Sequence, residues 1–112
     1  MAGAVARRLD AIRERAGIKS RDVAQLLNTT PETVSRWQTG RAEPQRARLE
    51  QLLTLEWFVE ELAEFFEPDE ARLWLFAPHR LLAGDSPASR IQAGQLADVV
   101  ALLDQLKTGA FV

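Results

Sequence analysis

Apolar residues recur at spacings of three and four along nearly the whole chain. No stretch alternates with period two for long enough to be a strand. Val5, Leu9, Ile12 and Ala16 predict a first helix ended by Gly17. Ser20 stands where it can N-cap a second helix carrying Val23, Ala24 and Leu27. Asn28 follows, one of the few non-glycine residues that tolerate a left-handed turn. Thr30 and Pro31 read as the N-cap and first position of a third helix, with Val34 and Trp37 as its apolar stripe and Thr39-Gly40 as its end. Residues 45–66 then run without a breaker, about 33 Å of helix at 1.5 Å per residue. Their apolar set is broad, from Leu49 to Phe66, and predicts a central spine buried on two sides. Glu56, Glu60, Glu61 and Glu64 form its wet face. Pro68 stops the spine, and a short helix from Asp69 carries Leu73, Trp74 and Phe76. After a break at Pro78-His79-Arg80, Ser86-Pro87 opens a short helix to Ala93. Gly94 separates it from a last helix over about 95–107, closed by Gly109. The expected fold is all-α. A first helical module over 1–48 is joined to a small helical module over 49–112, with the helix of about 45–66 as their shared spine.

Composition narrows what such a fold can do. The chain has 112 residues, 46% hydrophobic and 27% charged, which lies in the ordinary globular range. It has no Cys, which excludes disulfides, thiolate zinc sites and cysteine nucleophiles, and one His, which excludes a multi-His metal site. No cofactor is expected. No apolar run reaches the roughly 18 residues of a membrane span, and the first 20 residues do not read as a signal peptide, so a cytoplasmic protein is expected. The net charge of −2 hides an asymmetry. Residues 1–48 hold ten Lys/Arg against five acids, whereas residues 49–112 hold four against eleven. A polyanion suits the first part and would be repelled by the second.

Residues 18–40 read as two short helices joined by a tight turn. Ala24 is small where the helices must approach, Asn28 sits at the turn, and Val34 plugs the space beneath the second helix. From Ile18 to Gly40, ending in Val34-Ser35-Arg36-Trp37-x-x-Gly40, the segment resembles the Xre/Cro/phage-repressor helix-turn-helix family along its whole length. That family often has Gly where Asn28 stands. The resemblance implies that the second helix of the pair enters the major groove of operator DNA. Glu32, Thr33 and Arg36 would then reach base edges, Arg36 forking onto guanine and Glu32 accepting from cytosine. Ser20, Arg21, Thr30, Thr39 and Arg41 would hold phosphates. Trp37 falls on the Val34 stripe and reads as core. Palindromic operators imply a homodimer. A helix-turn-helix kept only for packing is the alternative, and the basic balance of this half argues against it.

The order Asp69 to Asp104 carries a second resemblance. Its skeleton is Ala71, Trp74, Leu75, Pro78, Leu82, Gly84, Ser86, Pro87, Ile91, Gly94, Val99, Leu102 and Leu103, with a short tail after Gly109. This is similar to the toxin-binding domain of the MbcA/ParS/Xre antitoxins, with Ala77 departing from the commoner Asn. The resemblance implies a type II antitoxin whose partner is a RES-domain toxin, an ADP-ribosyltransferase-like enzyme acting on NAD. The antitoxin would obstruct the toxin's NAD-binding cleft, and the complex would repress its own operon. Trp74, Pro78, His79, Arg80, Leu82, Ser86, Gly109, Phe111 and Val112 are the expected toxin-binding residues. The acidic balance of this half suits a basic cleft that binds pyrophosphate. Phe111 and Val112 either enter or flank that cleft or fold back on their own core.

A stand-alone regulator whose second half only dimerises is the other reading, and an adaptor that has lost DNA binding is a third. Catalysis is not expected. His79 has no second His and no Ser/Asp arrangement beside it. Glu60, Glu61 and Glu64 read as a solvated face, and Gly84 and Gly94 as helix punctuation.

Overall fold

A computed structural model describes residues 3–109. Among these lie seven α-helices and no strand: α1 (Ala4–Ala16), α2 (Ser20–Leu26), α3 (Pro31–Thr39), α4 (Arg46–Leu62), α5 (Pro68–Phe76), α6 (Pro87–Gln92) and α7 (Leu96–Thr108). A single 3-10 turn, Arg80–Leu82, stands between α5 and α6. The fold is all-α, as the spacing predicts. No helix among the described residues is long and apolar enough to cross a membrane. The chain forms two compact units, the first ending at Arg72 and the second beginning at Leu73. Helix α4 packs along α1 and so lies in the first of these units.

In the first unit, α1 buries Ala6, Leu9, Ile12 and Ala16 at spacings of three and four. Each large apolar side chain removed from water in this way contributes about 1.5–3 kcal/mol. Gly17 ends the helix at φ 62°, and its N–H donates to Arg13 O at 2.8 Å. The N-cap of α2 is Lys19 and Ser20 is its first helical residue, so the helix begins one position earlier than expected. The reason is Asp22, whose carboxylate accepts the Lys19 N–H at 3.0 Å and so does the capping from inside the helix. Asn28 takes φ 56° in the turn that follows. Thr30 caps α3 by accepting the Thr33 N–H at 3.2 Å, with Pro31 at the first helical position. Val34 and Trp37 are buried beneath α3.

The spine differs from expectation in length and in burial. It is helical over Arg46–Leu62 and not to residue 66. Pro68 has no N–H and confines Glu67 to extended backbone, so the helix unwinds ahead of it through 3-10-type bonds, Glu64 N–H to Glu61 O and Phe65 N–H to Leu62 O. One face of α4 is buried, through Leu52, Leu55, Phe58, Val59 and Leu62. The opposite face is open: Leu53 is 37% and Trp57 44% exposed. Two glutamates of the expected wet face hold α1, Glu56 pairing with Arg8 and Glu60 with Arg15 at 2.8 Å.

The second unit buries Leu75, Leu82, Ala88, Val99, Leu102 and Leu103, with Trp74 at its edge. Ser86 caps α6 and Pro87 follows at the first helical position, as their order predicts. Helix α6 packs against α7, which Gly109 closes at φ 72°.

Candidate functional site

The helix-turn-helix places its expected contact residues on two neighbouring helix ends. Glu32 and Arg36, one turn apart on α3, are exposed, and Thr33 between them is half-buried. The Thr33 hydroxyl lies 2.8 Å from that of Thr30, so the pair also fixes the first turn of the helix. Thr39 and Arg41 are exposed at the far end, where the Thr39 hydroxyl and the Arg41 amide both donate to Arg36 O, at 3.3 and 2.9 Å. At the start of α2, Arg21 is exposed, whereas Ser20 is half-buried in a recess of about 160 Å³ with Asp10, Arg13 and Gln38. Arg48, counted in the basic half, holds the turn instead: its guanidinium donates to Asn28 O at 3.3 Å and to Gln51 at 2.9 Å. Ser35 is exposed on α3 three residues after Glu32. Only its polar character marked it in the sequence.

One buried charge locks this unit. Asp22 accepts from Arg72 Nη1 at 2.6 Å and Nη2 at 3.3 Å, and Nη1 also reaches Gly17 O at 3.4 Å. Burial pushes the Asp22 carboxyl up. The Arg72 hydrogen bond, the Lys19 amide and the charges of Arg72 and Arg21 outweigh that and hold it below the usual carboxylate range.

In the second unit the chain from His79 to Asp85 closes on itself. The His79 N–H donates to Asp85 O at 3.0 Å, and His79 O accepts from Leu82 and Gly84 at 3.1 and 2.9 Å. Ala83 takes φ 56° to make the closure, a left-handed conformation that costs an alanine about 1–2 kcal/mol. Arg90 ties the loop down. Its Nε donates to Asp85 at 3.0 Å, Nη2 to Leu82 O at 2.8 Å and Nη1 to Asp98 on the first turn of α7 at 2.6 Å. The hydrogen bonds to Asp85 and then Asp98 raise the guanidinium pKa above that of an ordinary arginine. Arg90 thus joins loop, α6 and α7, a role its place in the sequence did not signal.

His79 has a structural task. In α5 the carbonyl of Trp74 should accept from residue 78, but Pro78 has no N–H. His79 Nε2 lies 3.3 Å from that carbonyl, and a carbonyl only accepts, so Nε2 carries the proton. The His79 ring also meets the Trp74 ring edge-on at 5.1 Å.

Among the expected toxin-binding residues, Pro78 and Arg80 are exposed and His79 and Ser86 half-buried. Trp74 and Leu82 are buried and shape the surface from below. Gly109 ends α7, and Phe111 and Val112 lie outside the described residues. Two apolar side chains outside the expected contact set are uncovered in this unit, Leu73, which the spacing counts in the apolar set of its helix, at 72% and Leu81 at 56% exposure. Three residues per turn swing the neighbours Leu81 and Leu82 about 120° apart, so one faces out while the other is buried. Leu81, Leu82, Arg90, Asp98 and Ala101 line a cleft of about 200 Å³. The acidity expected of the partner-binding half lies elsewhere. Eight of its eleven acids fall between Glu50 and Glu70, in the first unit, and residues 73–112 balance Asp85, Asp98 and Asp104 against Arg80, Arg90 and Lys107.

A helix-turn-helix followed by a second helical unit with an uncovered apolar surface defines a two-part protein, one part of the repressor type and the other built to meet a partner. The helix-turn-helix domain family matches residues 4–72, and the antitoxin Xre/MbcA/ParS C-terminal toxin-binding domain matches residues 61–109. The mycobacterial cidal antitoxin MbcA of Mycobacterium tuberculosis (strain ATCC 25618 / H37Rv) is 35% identical over 99 residues, 88% of each chain. A probable mycobacterial cidal antitoxin of the same strain is 32% identical over 97 residues, 86% of this chain and 82% of that one. In the crystal structure of the M. tuberculosis MbcT–MbcA toxin–antitoxin complex, a chain 33% identical to this one matches it with a TM-score of 0.83, over 98% of this chain and 99% of that one. The chain belongs to the Xre/MbcA/ParS family of antitoxins, and is an antitoxin rather than an enzyme.

Proposed function

We propose that this antitoxin neutralises a cognate RES-domain toxin by binding it directly and obstructing its NAD-binding cleft, and that the complex represses its own operon. The observation that carries the reading is the match, over nearly the whole chain, to an antitoxin solved in a toxin–antitoxin complex. The second unit supplies the contact. Leu73, Leu81 and Arg80 are its outward side chains, and Arg90 holds the loop that presents Leu81 and Arg80. Buried apolar anchors with a polar surround are how such interfaces obtain most of their affinity. The tail from Thr108 to Val112 is the segment proposed to enter the cleft. Such a role places the protein in the cytoplasm.

Repression is proposed to run through α3 in the major groove, with Glu32, Thr33 and Arg36 on bases and Ser20, Arg21, Thr30, Thr39 and Arg41 on phosphates. The exposure of Glu32, Arg36, Arg21 and Arg41 supports this.

Co-purification with the product of the neighbouring gene tests the first part, followed by NAD turnover with and without residues 108–112. A complex whose NAD turnover returns on tail deletion supports a plug. A complex still inhibited without the tail moves occlusion to the Arg80–Leu81 surface. No complex leaves a stand-alone regulator as the better account.

A further inference from the structure

Asp98, Ala101, Leu102 and Gln105 recur at spacings of three and four and share one face of α7. With the loop residues Leu81 and Leu82 and with Arg90 they line the cleft of about 200 Å³ in the second unit. Leu82 and Leu102 are buried and Leu81 is partly covered, which gives the cleft an apolar lining, and Ala101 brings no bulk to fill it. Sites for small-molecule ligands occupy roughly 300–1,000 Å³, so this one suits a single long side chain. Its polar part is negative. Arg90 spends Nε, Nη1 and Nη2 on Asp85, Asp98 and Leu82 O, so its one positive charge faces two carboxylates. Asp98 gives Arg90 only Oδ2 and keeps its side chain 47% exposed. Among the described residues, Asp98 Oδ1 and the Gln105 side-chain amide have no hydrogen-bond partner. Arg80 and Lys107, the other cations of residues 73–109, do not line the cleft.

We propose that this cleft receives a basic side chain of the toxin, its aliphatic stem on Leu81 and Leu102 and its charged head at Asp98 Oδ1 and Gln105 Oε1. The inference rests on the toxin-binding reading above and adds to it the chemistry of one contact. A long basic side chain has the two parts this lining asks for, an apolar stem and a cationic head. Arginine is also enriched among the residues that carry most of an interface's affinity. Other occupants suit the cleft less well. An anion would meet two carboxylates and an arginine already engaged with both. A purely apolar group would bury Asp98 Oδ1 and the Gln105 amide without partners, which is costly for groups that water otherwise satisfies.

Gln105 tests the sign of the occupant's charge, because it is exposed and both Lys and Glu are good helix formers. Calorimetry of the full chain with the product of the neighbouring gene gives the affinities. Gln105→Lys should weaken binding at least about tenfold, and Gln105→Glu should tighten it about threefold at low salt. Near the C-terminal end of α7 a lysine suits the helix better than a glutamate, so an effect through stability would run the other way. The full chain alone gives a second readout. n-Butylguanidinium should shift the amide resonances of Leu81, Ala101 and Gln105 saturably, with a dissociation constant on the order of millimolar, and neutral n-butylurea should not. Asp98→Asn should abolish that shift while Asp85 and Leu82 O still hold Arg90. The inference is overturned by equal effects of Gln105→Lys and Gln105→Glu, which mark an apolar occupant, by the reverse order, which marks an anion, or by n-butylurea binding as well as the cation. A wild type that forms no complex overturns the toxin-binding reading and this inference with it, whereas equal effects within a complex that does form overturn this inference alone.

Discussion

Replacing Asp22 by Ala removes the one buried charge among the described residues. Three contributions are lost. The Lys19 N–H at the start of α2 loses its acceptor, worth about 1 kcal/mol for a helix cap. The favourable position of a carboxylate in the first turn goes too, about 0.3–1 kcal/mol. The two hydrogen bonds from Arg72 are charge-assisted, and such bonds are worth about 1.5–3 kcal/mol. Arg72 is 39% exposed and can return its guanidinium to water, so the lower end applies. The sum is about 3 kcal/mol. Unfolding entropy of about 2.1 cal/mol/K per residue makes each kcal/mol worth roughly 4 °C in a chain of this length, so Tm should fall by about 12 °C. Thermal and urea unfolding followed by circular dichroism measure it. The pH dependence is a second readout. The folded pKa of Asp22 is lowered, so its contribution is fully present above the unfolded value, about 3.9, and is lost as pH falls through the folded value below that. The gap between wild type and variant should be full at pH 7 and shrink below pH 4. A gap below about 0.5 kcal/mol at pH 7, or one as wide at pH 3 as at pH 7, refutes the reasoning.

Three further outcomes are expected. Ala83→Gly relieves the left-handed alanine and should raise stability by about 0.5–1 kcal/mol, read as a higher urea midpoint with an unchanged slope. Arg90→Gln should release the loop at residues 79–85. Amide exchange there should speed up while that of α1 and α4 stays the same, and affinity for the toxin should fall. Uniform exchange across the chain would contradict the tie. Arg36→Ala should cost about 1–3 kcal/mol in operator binding and relax preference at one base pair. Arg21→Ala or Arg41→Ala should instead reduce the salt slope by about one.

The helices were legible because their ends are written in local chemistry. Thr30-Pro31, Ser86-Pro87, Gly17 and Gly109 each act within one turn, and the boundaries beside them fall within a residue of expectation. Where the sequence misled, the deciding interaction was distant or shared. Ser20 looked like a cap because nothing local shows that Asp22 would take the Lys19 amide. The spine looked buried on two sides because a run of apolar residues does not say which of them the fold covers, and Leu53 and Trp57 stay 37% and 44% exposed. Residues 49–112 looked acidic as a block, though the acids cluster before Leu73, on elements that pack with the helix-turn-helix. The tie at Arg90 joins residues that are 5 and 8 positions away to either side, and no periodicity marks it. His79 is the instructive intermediate. With Pro78 and Arg80 it reads as a break between helices, and it serves the Trp74 carbonyl, to which Pro78 has no N–H to donate.

The tryptophans make the protein its own optical instrument. The chain has three and no tyrosine, so its emission comes from Trp37, Trp57 and Trp74 without transfer from a phenol. Trp37 lies buried under α3, Trp74 at the edge of the second unit beside His79, and Trp57 half in water on the outer face of α4. A neutral quencher reaches Trp57 first. An unchanged quenchable fraction with shifted emission from Trp74 marks capture of a partner by the second unit. One unlabelled sample therefore reports on the second unit separately from the first.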